Sequence, residues 1–406
     1  MDAKTLHRKL MAGYQGWFNT PCDGCGMGWR HYAKRRAEEL TPETCKIDVW
    51  PDTSEFDDDE LCKTGIRYAD GTPARLPSSC NRKTVLRHFG WMRAYGLDGV
   101  FVQRFHPYCA ERERFAHTLK VLDYCREGAR LHERCYAMMY DLSGMRGEDA
   151  SPVIDDWKRL LDDTALVEDK MYLHHHGRPV VTVWGLGFND RPHFTWRDCM
   201  PLVEFLKDWG ATLMLGLPTG WREQPQEHLP DPDPSKRPVV RCWDCFEDPA
   251  MLDAIQIADI LLPWSVARAE TLEGAERMAR DFWIPDIQWC AERGIEYMPV
   301  VYPGFSWHNQ RPGAVRDRVP RRRGAMLWKL YYEAVRAGAT MIYQAMFDEM
   351  DEGTAIFKVD PNPPGPEGLF IDLEGVASDH YLRLVGEAGR MLRGEIPLQA
   401  PCPLLG

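Results

Sequence analysis

Pro179-Val180-Val181-Thr182-Val183-Trp184-Gly185 is a short, unbroken apolar run closed by a glycine. A strand with one face in water alternates polar and apolar residues, whereas a strand covered by protein on both faces reads as continuous. The run therefore predicts a buried strand of a parallel sheet. Seven more runs of this kind recur, at residues 12–17, 99–105, 135–141, 212–218, 260–266, 296–304 and 340–349. Helical patterns precede several of them and stop at a glycine: 87–95 before Gly96, 202–209 before Gly210, 278–293 before Gly294 and 326–337 before Gly338. Glycine at such a position accepts the left-handed backbone that ends a helix. Eight strand-and-helix units predict an α/β chain closed into a (β/α)8 TIM barrel, with residues 1–406 as a single catalytic domain. An open doubly wound sheet is the competing architecture, but no Gly-rich phosphate turn follows the first strand.

Three segments exceed ordinary connections between strand and helix. A long insertion occupies about residues 18–85, residues 223–240 hold five prolines, and residues 305–324 hold six arginines. All three follow the C-terminal ends of predicted strands, so long loops are expected on the face of the barrel that carries active sites. A net charge of -11 argues against a nucleic-acid partner, which would need phosphates neutralised by Lys and Arg. The 15 Trp and 15 Tyr suit stacking on sugar rings as well as core filling. No apolar run approaches the ~20 residues of a membrane span, so no membrane partner is expected. Residues 1–9 lack a secretory leader, and the 13 Cys are odd in number and scattered like reduced thiols. A cytoplasmic location is expected, or a secreted or periplasmic one if a leader has been removed.

Polar and aromatic residues stand at the predicted strand ends: Trp17, Arg104, Asp141, Trp184, Trp264, Tyr302 and Glu349. Trp307 and His308, in the loop after the seventh strand, are candidates for stacking and hydroxyl contacts. The eighth strand runs into Asp348-Glu349-Met350-Asp351-Glu352-Gly353-Thr354. Four carboxylates in five positions repel one another, and partial enclosure would raise some of their pKa values, as a general acid at neutral pH requires. On a helical turn Glu349 and Glu352 would face the same side, roughly 5–6 Å apart at Cβ.

The segment from Phe347 to Thr354 resembles the Asn-Glu-Trp-His-Glu-Gly-Thr signature of glycoside hydrolase family 99, the endo-α-mannosidases and endo-α-mannanases, and their family 71/99-like relatives. The resemblance extends to Gly13-Tyr14-Gln15-Gly16-Trp17, Gly28-Trp29-Arg30-His31, Asp98-Gly99-Val100 and Pro320-Arg321. It implies a polysaccharide-degrading barrel without metal or other cofactor, an O-glycosyl hydrolase whose partner is an α-linked, mannoside-type carbohydrate. It further implies retention through a 1,2-anhydro sugar, with Glu349 as base for the 2-hydroxyl and Glu352 as general acid/base. Tyr14, Trp17, Trp29, His31 and Asp348, in the matching segments, are accordingly expected to bind substrate. Met350 and Asp351 depart from the Trp-His of the signature, and Asp348 from its Asn. An inverting α-1,3-glucanase-like hydrolase and a non-catalytic carbohydrate-binding barrel stand as alternatives.

Other clusters have plainer readings. Cys22/Cys25 and Cys242/Cys245 have the spacing of a structural zinc site, but free thiols or separate disulfides are favoured. His174-His175-His176 and Asp57-Asp58-Asp59-Glu60 are expected to be solvated. Arg311, Arg316, Arg318, Arg321, Arg322 and Arg323 would either hold an anionic sugar or pair with acids at the mouth.

Overall fold

The computed structural model describes residues 1–147, 149–189, 193–222, 245 and 248–405. Its strands are β1 (Leu10–Tyr14), β2 (Gly99–Phe105), β3 (Cys135–Asp141), β4 (Arg178–Trp184), β5 (Thr212–Pro218), β6 (Ile260–Trp264), β7 (Glu296–Tyr297 and Val300–Val301) and β8 (Ile342–Gln344). The sheet has ten strand segments, which reduce to eight barrel strands because β7 is split and His174–His175 is an antiparallel partner of β4. All neighbouring barrel strands run parallel. The first half of β7 sets Glu296 opposite Ile260 of β6, the second half sets Val300 opposite Tyr343 of β8, and Leu10 lies opposite Ile342. The ring is thereby closed into the expected TIM barrel.

Three strands depart from their sequence patterns for local reasons. β7 breaks around Pro299, which has no N–H to give to a ladder. β1 ends at Tyr14 because the next two N–H groups, of Gln15 and Gly16, turn to the Asp348 carboxylate. Gly16 makes that turn at a φ of 58°. β8 stops at Gln344, and the chain bends inward so that Phe347 N donates to Gly13 O at 2.8 Å. Gly13 itself admits no larger residue, since an added Cβ would stand 2.1 Å from both Met346 Cε and the Tyr343 hydroxyl.

The helices follow their capping signals. Asn81 caps Arg82–Tyr95 by accepting from Lys83 N, and Gly96 ends it at a φ of 81°. Trp196–Trp209 ends at Gly210, also left-handed. The pattern at 278–293 begins earlier, at Leu272, and passes through a π turn over Ala279–Trp283 before Ile284–Ala291.

The insertion is cross-linked. Cys22 is bonded to Cys62 and Cys25 to Cys80, so these four cysteines are neither reduced thiols nor zinc ligands. Cys62–Arg67 pairs with Pro73–Leu76 as a hairpin. Cys245 is buried; Cys242 and the proline-rich residues 223–240 lie outside the described residues. Two runs expected to be solvated are partly buried instead. Glu60 is enclosed, with Arg87 and the Thr84 hydroxyl on its carboxylate, while Asp57 and Asp59 stay exposed beside Lys83. His175 is buried between Leu6 N and Glu296.

Cross-links over 40 and 55 residues constrain the unfolded insertion far more than the folded one. Replacing Cys62 and Cys80 by Ser should cost about 2–4 kcal/mol per cross-link. In hydrogen-exchange measurements the loss should concentrate in residues 20–80, with β2 to β5 retaining protection.

Candidate active site

The acid run after β8 is fixed from three directions. From β1, Gln15 N and Gly16 N donate to the two oxygens of Asp348 at 2.7 and 2.9 Å. From the insertion, Asp48 N donates to Met350 O at 2.9 Å. From the loop after β7, Ser306 N donates to Glu352 O at 2.9 Å, and buried Arg321 donates to Gly353 O and Ala355 O. Within the run, Thr354 N and Ala355 N both return to Glu349 O. The carboxylates are thus held by backbone contacts rather than carried on a free loop.

Their surroundings differ sharply. Glu349 is buried, its Oε1 accepting from Gln15 Nε2 at 2.9 Å and its Oε2 from the Thr354 hydroxyl at 3.4 Å. Glu352 is half-buried, with Trp307 beside its carboxylate. Asp351 is buried against Lys46 Nζ at 2.6 Å and His31 Nδ1 at 3.4 Å. Burial pushes Glu349 well above the usual carboxylate range, and Glu352, Asp351 and Asp348 add to the rise. Burial and the charge of Asp351 lift Glu352 to about 7, against Trp307, Lys46 and Arg311. Burial also drives Asp348 and Asp48 to about 7. Asp351 alone moves down: burial would raise it, but Lys46 and His31 outweigh that and keep it ionised. Burial takes His31 down to about 4, so its imidazole is neutral there despite Asp351.

Aromatic residues surround these groups. The Trp17 ring is sandwiched between His31, with centroids 3.7 Å apart, and Phe105 at 4.8 Å. Trp184 meets Trp264 edge-on at 5.4 Å, and Trp264 meets Tyr343 at 6.0 Å. Burial raises the Tyr343 phenol, with Glu349, Asp141 and Asp348 as further causes, which sets Asp141 and this tryptophan pair beside the acids. Trp307 is half-buried with the Arg311 guanidinium 3.5 Å over its ring. His308, in the same loop, is exposed.

Four residues expected to bind substrate belong to the packing instead. Tyr14 is wholly buried and its hydroxyl meets His88 Nδ1 at 2.9 Å. Trp29 packs edge-on to Tyr32 inside the insertion and its indole N–H reaches Glu38 O. Tyr302 is wholly buried, donating to Ala269 O at 2.6 Å and accepting from Ala269 N. Arg104 is wholly buried in a two-point ion pair with Asp156, Nε to Oδ2 at 2.8 Å, and the Tyr140 hydroxyl donates to the same carboxylate. Among the six arginines of the β7 loop, Arg318 pairs with Glu270, Arg316 donates to Phe370 O and Arg321 holds the acid loop; Arg322 and Arg323 are exposed. Only Arg311 faces the acids. Conversely, Gln15, Lys46 and Tyr343 belong to the site but carry no strand-end signal. Gln15 lies in a segment already conspicuous in the sequence; Lys46 is set in the insertion with no pattern to mark it.

No family model matches this sequence, and neither does any curated protein. Solved structures do share its fold. The GH99 endo-α-mannosidase from Bacteroides thetaiotaomicron is similar over 96% of this chain and 99% of its own, with a TM-score of 0.64 at 14% identity. Its complex with bis-tris-propane gives 0.63 at 13% identity over the same shares. A glycoside hydrolase-like protein matches 88% of this chain and 98% of its own, with a TM-score of 0.50 at 13% identity. The architecture these structures share with this chain is a TIM barrel. The likeness to the endo-α-mannosidase takes in nearly the entire chain.

Removing Arg104 would leave the Asp156 carboxylate buried with no cationic partner. Arg104→Met should therefore destabilise the protein by about 3–5 kcal/mol in urea unfolding.

Proposed function

We propose that this chain is an O-glycosyl hydrolase that cleaves an α-linked glycan of the mannoside type, with retention through a 1,2-anhydro sugar. The observation that carries this reading is the unequal treatment of the two glutamates. Both are raised by burial, but Glu349 is enclosed and oriented through both oxygens by Gln15 and Thr354, whereas Glu352 is half-open, beside Trp307 and at about 7. A base must be aimed; a general acid must hold its proton near neutral pH and reach solvent. The GH99 endo-α-mannosidase fold supports the choice of sugar.

In the first step the Glu349 carboxylate takes the proton of the 2-hydroxyl, O2 attacks C1, and the glycosidic bond breaks as Glu352 gives its proton to the leaving oxygen. In the second, Glu352 takes a proton from water, the water oxygen attacks C1, the C1–O2 bond breaks, and Glu349 returns its proton to O2. Both residues end as they began, and one water is consumed. The Lys46 ammonium, paired with Asp351, offsets part of the negative charge that this exchange moves between the glutamates. The two disulfides support placement in an oxidising compartment over the cytoplasm.

The productive state has Glu349 ionised and Glu352 protonated, one microstate of an interacting pair. Both glutamates are raised, Glu352 to about 7 and Glu349 well above the usual carboxylate range, so the pair gives up its two protons in succession from neutral pH upward. kcat/KM on an α-mannoside with a poor leaving group should therefore be bell-shaped, rising as the pair loses its first proton near that value and falling as it loses the second. Glu352→Gln should lower turnover on that substrate by at least ~10²-fold, with far less loss of the first step on an activated aryl glycoside. A near-normal rate with the poor leaving group would remove Glu352 from the role.

The mechanism also makes the 2-hydroxyl indispensable. A 2-deoxy substrate should bind but be cleaved negligibly, and a 2-fluoro glycosyl fluoride should leave no adduct on Glu349 in intact-protein mass spectrometry. A Glu349–glycosyl ester would point to a direct nucleophile. Inverted product on α-1,3-glucan, followed by NMR of the first-formed anomer, would point to the glucanase-like alternative.

A further inference from the structure

At the N-terminal end of the barrel, opposite the acid run, three imidazoles converge on one carboxylate. Glu296 opens β7, His175 and His176 lie in the turn leading into β4, and His7 precedes β1. Glu296 Oε1 is 2.8 Å from His7 Nε2 and 3.2 Å from His176 Nε2, and Glu296 Oε2 is 2.5 Å from His175 Nε2. The ligand atoms of His7, His175 and Glu296 all lie within 4.8 Å of one another.

The three histidines are not equivalent. Leu6 N donates to His175 Nδ1 at 3.1 Å, which fixes the His175 proton on Nε2, where it is given to Glu296 Oε2. His175 is 1% exposed and so acts as an internal brace that aims the carboxylate. His7 and His176 have side chains 44% and 54% exposed, and their Nδ1 atoms make no hydrogen bond among the described residues. Either ring can carry its proton on Nδ1 and turn an Nε2 lone pair toward Glu296 Oε1. Metal–ligand bonds of about 2.0–2.1 Å place tetrahedral ligands roughly 3.3 Å apart. The two Nε2–Oε1 separations stand close to that edge length, and the exposed His7 and His176 rings, with centroids 6.1 Å apart, would swing together to close the third edge.

The geometry points to a divalent-metal site of the zinc type formed by His7 Nε2, His176 Nε2 and Glu296 Oε1, with His175 hydrogen-bonded behind the carboxylate. Imidazole and carboxylate suit zinc, and a brace on the ligand's second oxygen is a common support of such sites. Solvent faces the remaining coordination position. A bound ion would tie the segment before β1, the turn before β4 and the start of β7 into one clamp, far from Glu349 and Glu352.

The chelator-treated full chain, titrated with zinc chloride in a calorimeter, should bind one equivalent. His176→Ala, at an exposed position where folding is not at stake, and Glu296→Gln should each weaken binding at least ~10-fold, while glycan hydrolysis stays unchanged. Cobalt should give the visible bands of a nitrogen–oxygen site without a thiolate charge-transfer band. Failure to bind one equivalent, affinity unaltered by His176→Ala, or a thiolate band would overturn the assignment.

Discussion

The Asp348 carboxylate is the joint on which the site depends. A closed barrel must bring its first and last strands together, and here the ladder between them ends early on both sides: β1 stops at Tyr14 and β8 at Gln344. Asp348 then accepts the next two N–H groups of the β1 chain, so one side chain replaces the missing ladder bonds. Two backbone donors would normally favour a charged carboxylate, yet burial prevails and lifts Asp348 to about 7. The same contacts bring Gln15 over Glu349. Closing the ring and orienting the Glu349 carboxylate are therefore one event in the fold.

Around that joint, charge is spread unevenly by design of the surroundings rather than by residue type. Asp348, Glu349, Asp351 and Glu352 are chemically similar, but among the described residues only Asp351 has a cation in contact. Desolvation disfavours the charged form of each, and the one carboxylate with an ammonium at 2.6 Å remains ionised. Its charge in turn raises its neighbours. The departure of Asp351 from the family-99 signature is thus matched by Lys46, from a segment about 300 residues distant in sequence.

The strands were legible where burial alone shaped them. Residues 99–105, 135–141 and 212–218 are strands over their whole predicted lengths because each is covered on both faces and reads as uninterrupted apolar sequence. Residues 340–349 also read as apolar, but the chain leaves the sheet after Gln344 while staying buried, and periodicity cannot separate those two cases. The acid run stood out by position and composition. The roles of Arg104 and Tyr302 did not, because a polar residue at a strand end has the same pattern whether it faces the mouth or a helix behind it. Only the approach of Asp156 and of the Ala269 backbone decides. Likewise, the Cys-x-x-Cys spacing has the form of a zinc site and names no disulfide partner, whereas Cys22 and Cys25 reach separately to Cys62 and Cys80.

Lys46 and His31 come from the insertion, while every carboxylate they influence comes from the chain after β8. Acids and counter-charge are consequently carried by different parts of the chain, although the insertion also holds the acid run through Asp48 N. The barrel supplies a fixed set of acids, and the insertion acts as a tuning plate laid over them. Exchanging that plate for one with a different cation, or none, would re-poise all four acids together without altering a single barrel residue. Diversification within this architecture has a route that leaves strand packing untouched: change the insertion and the same acids titrate differently.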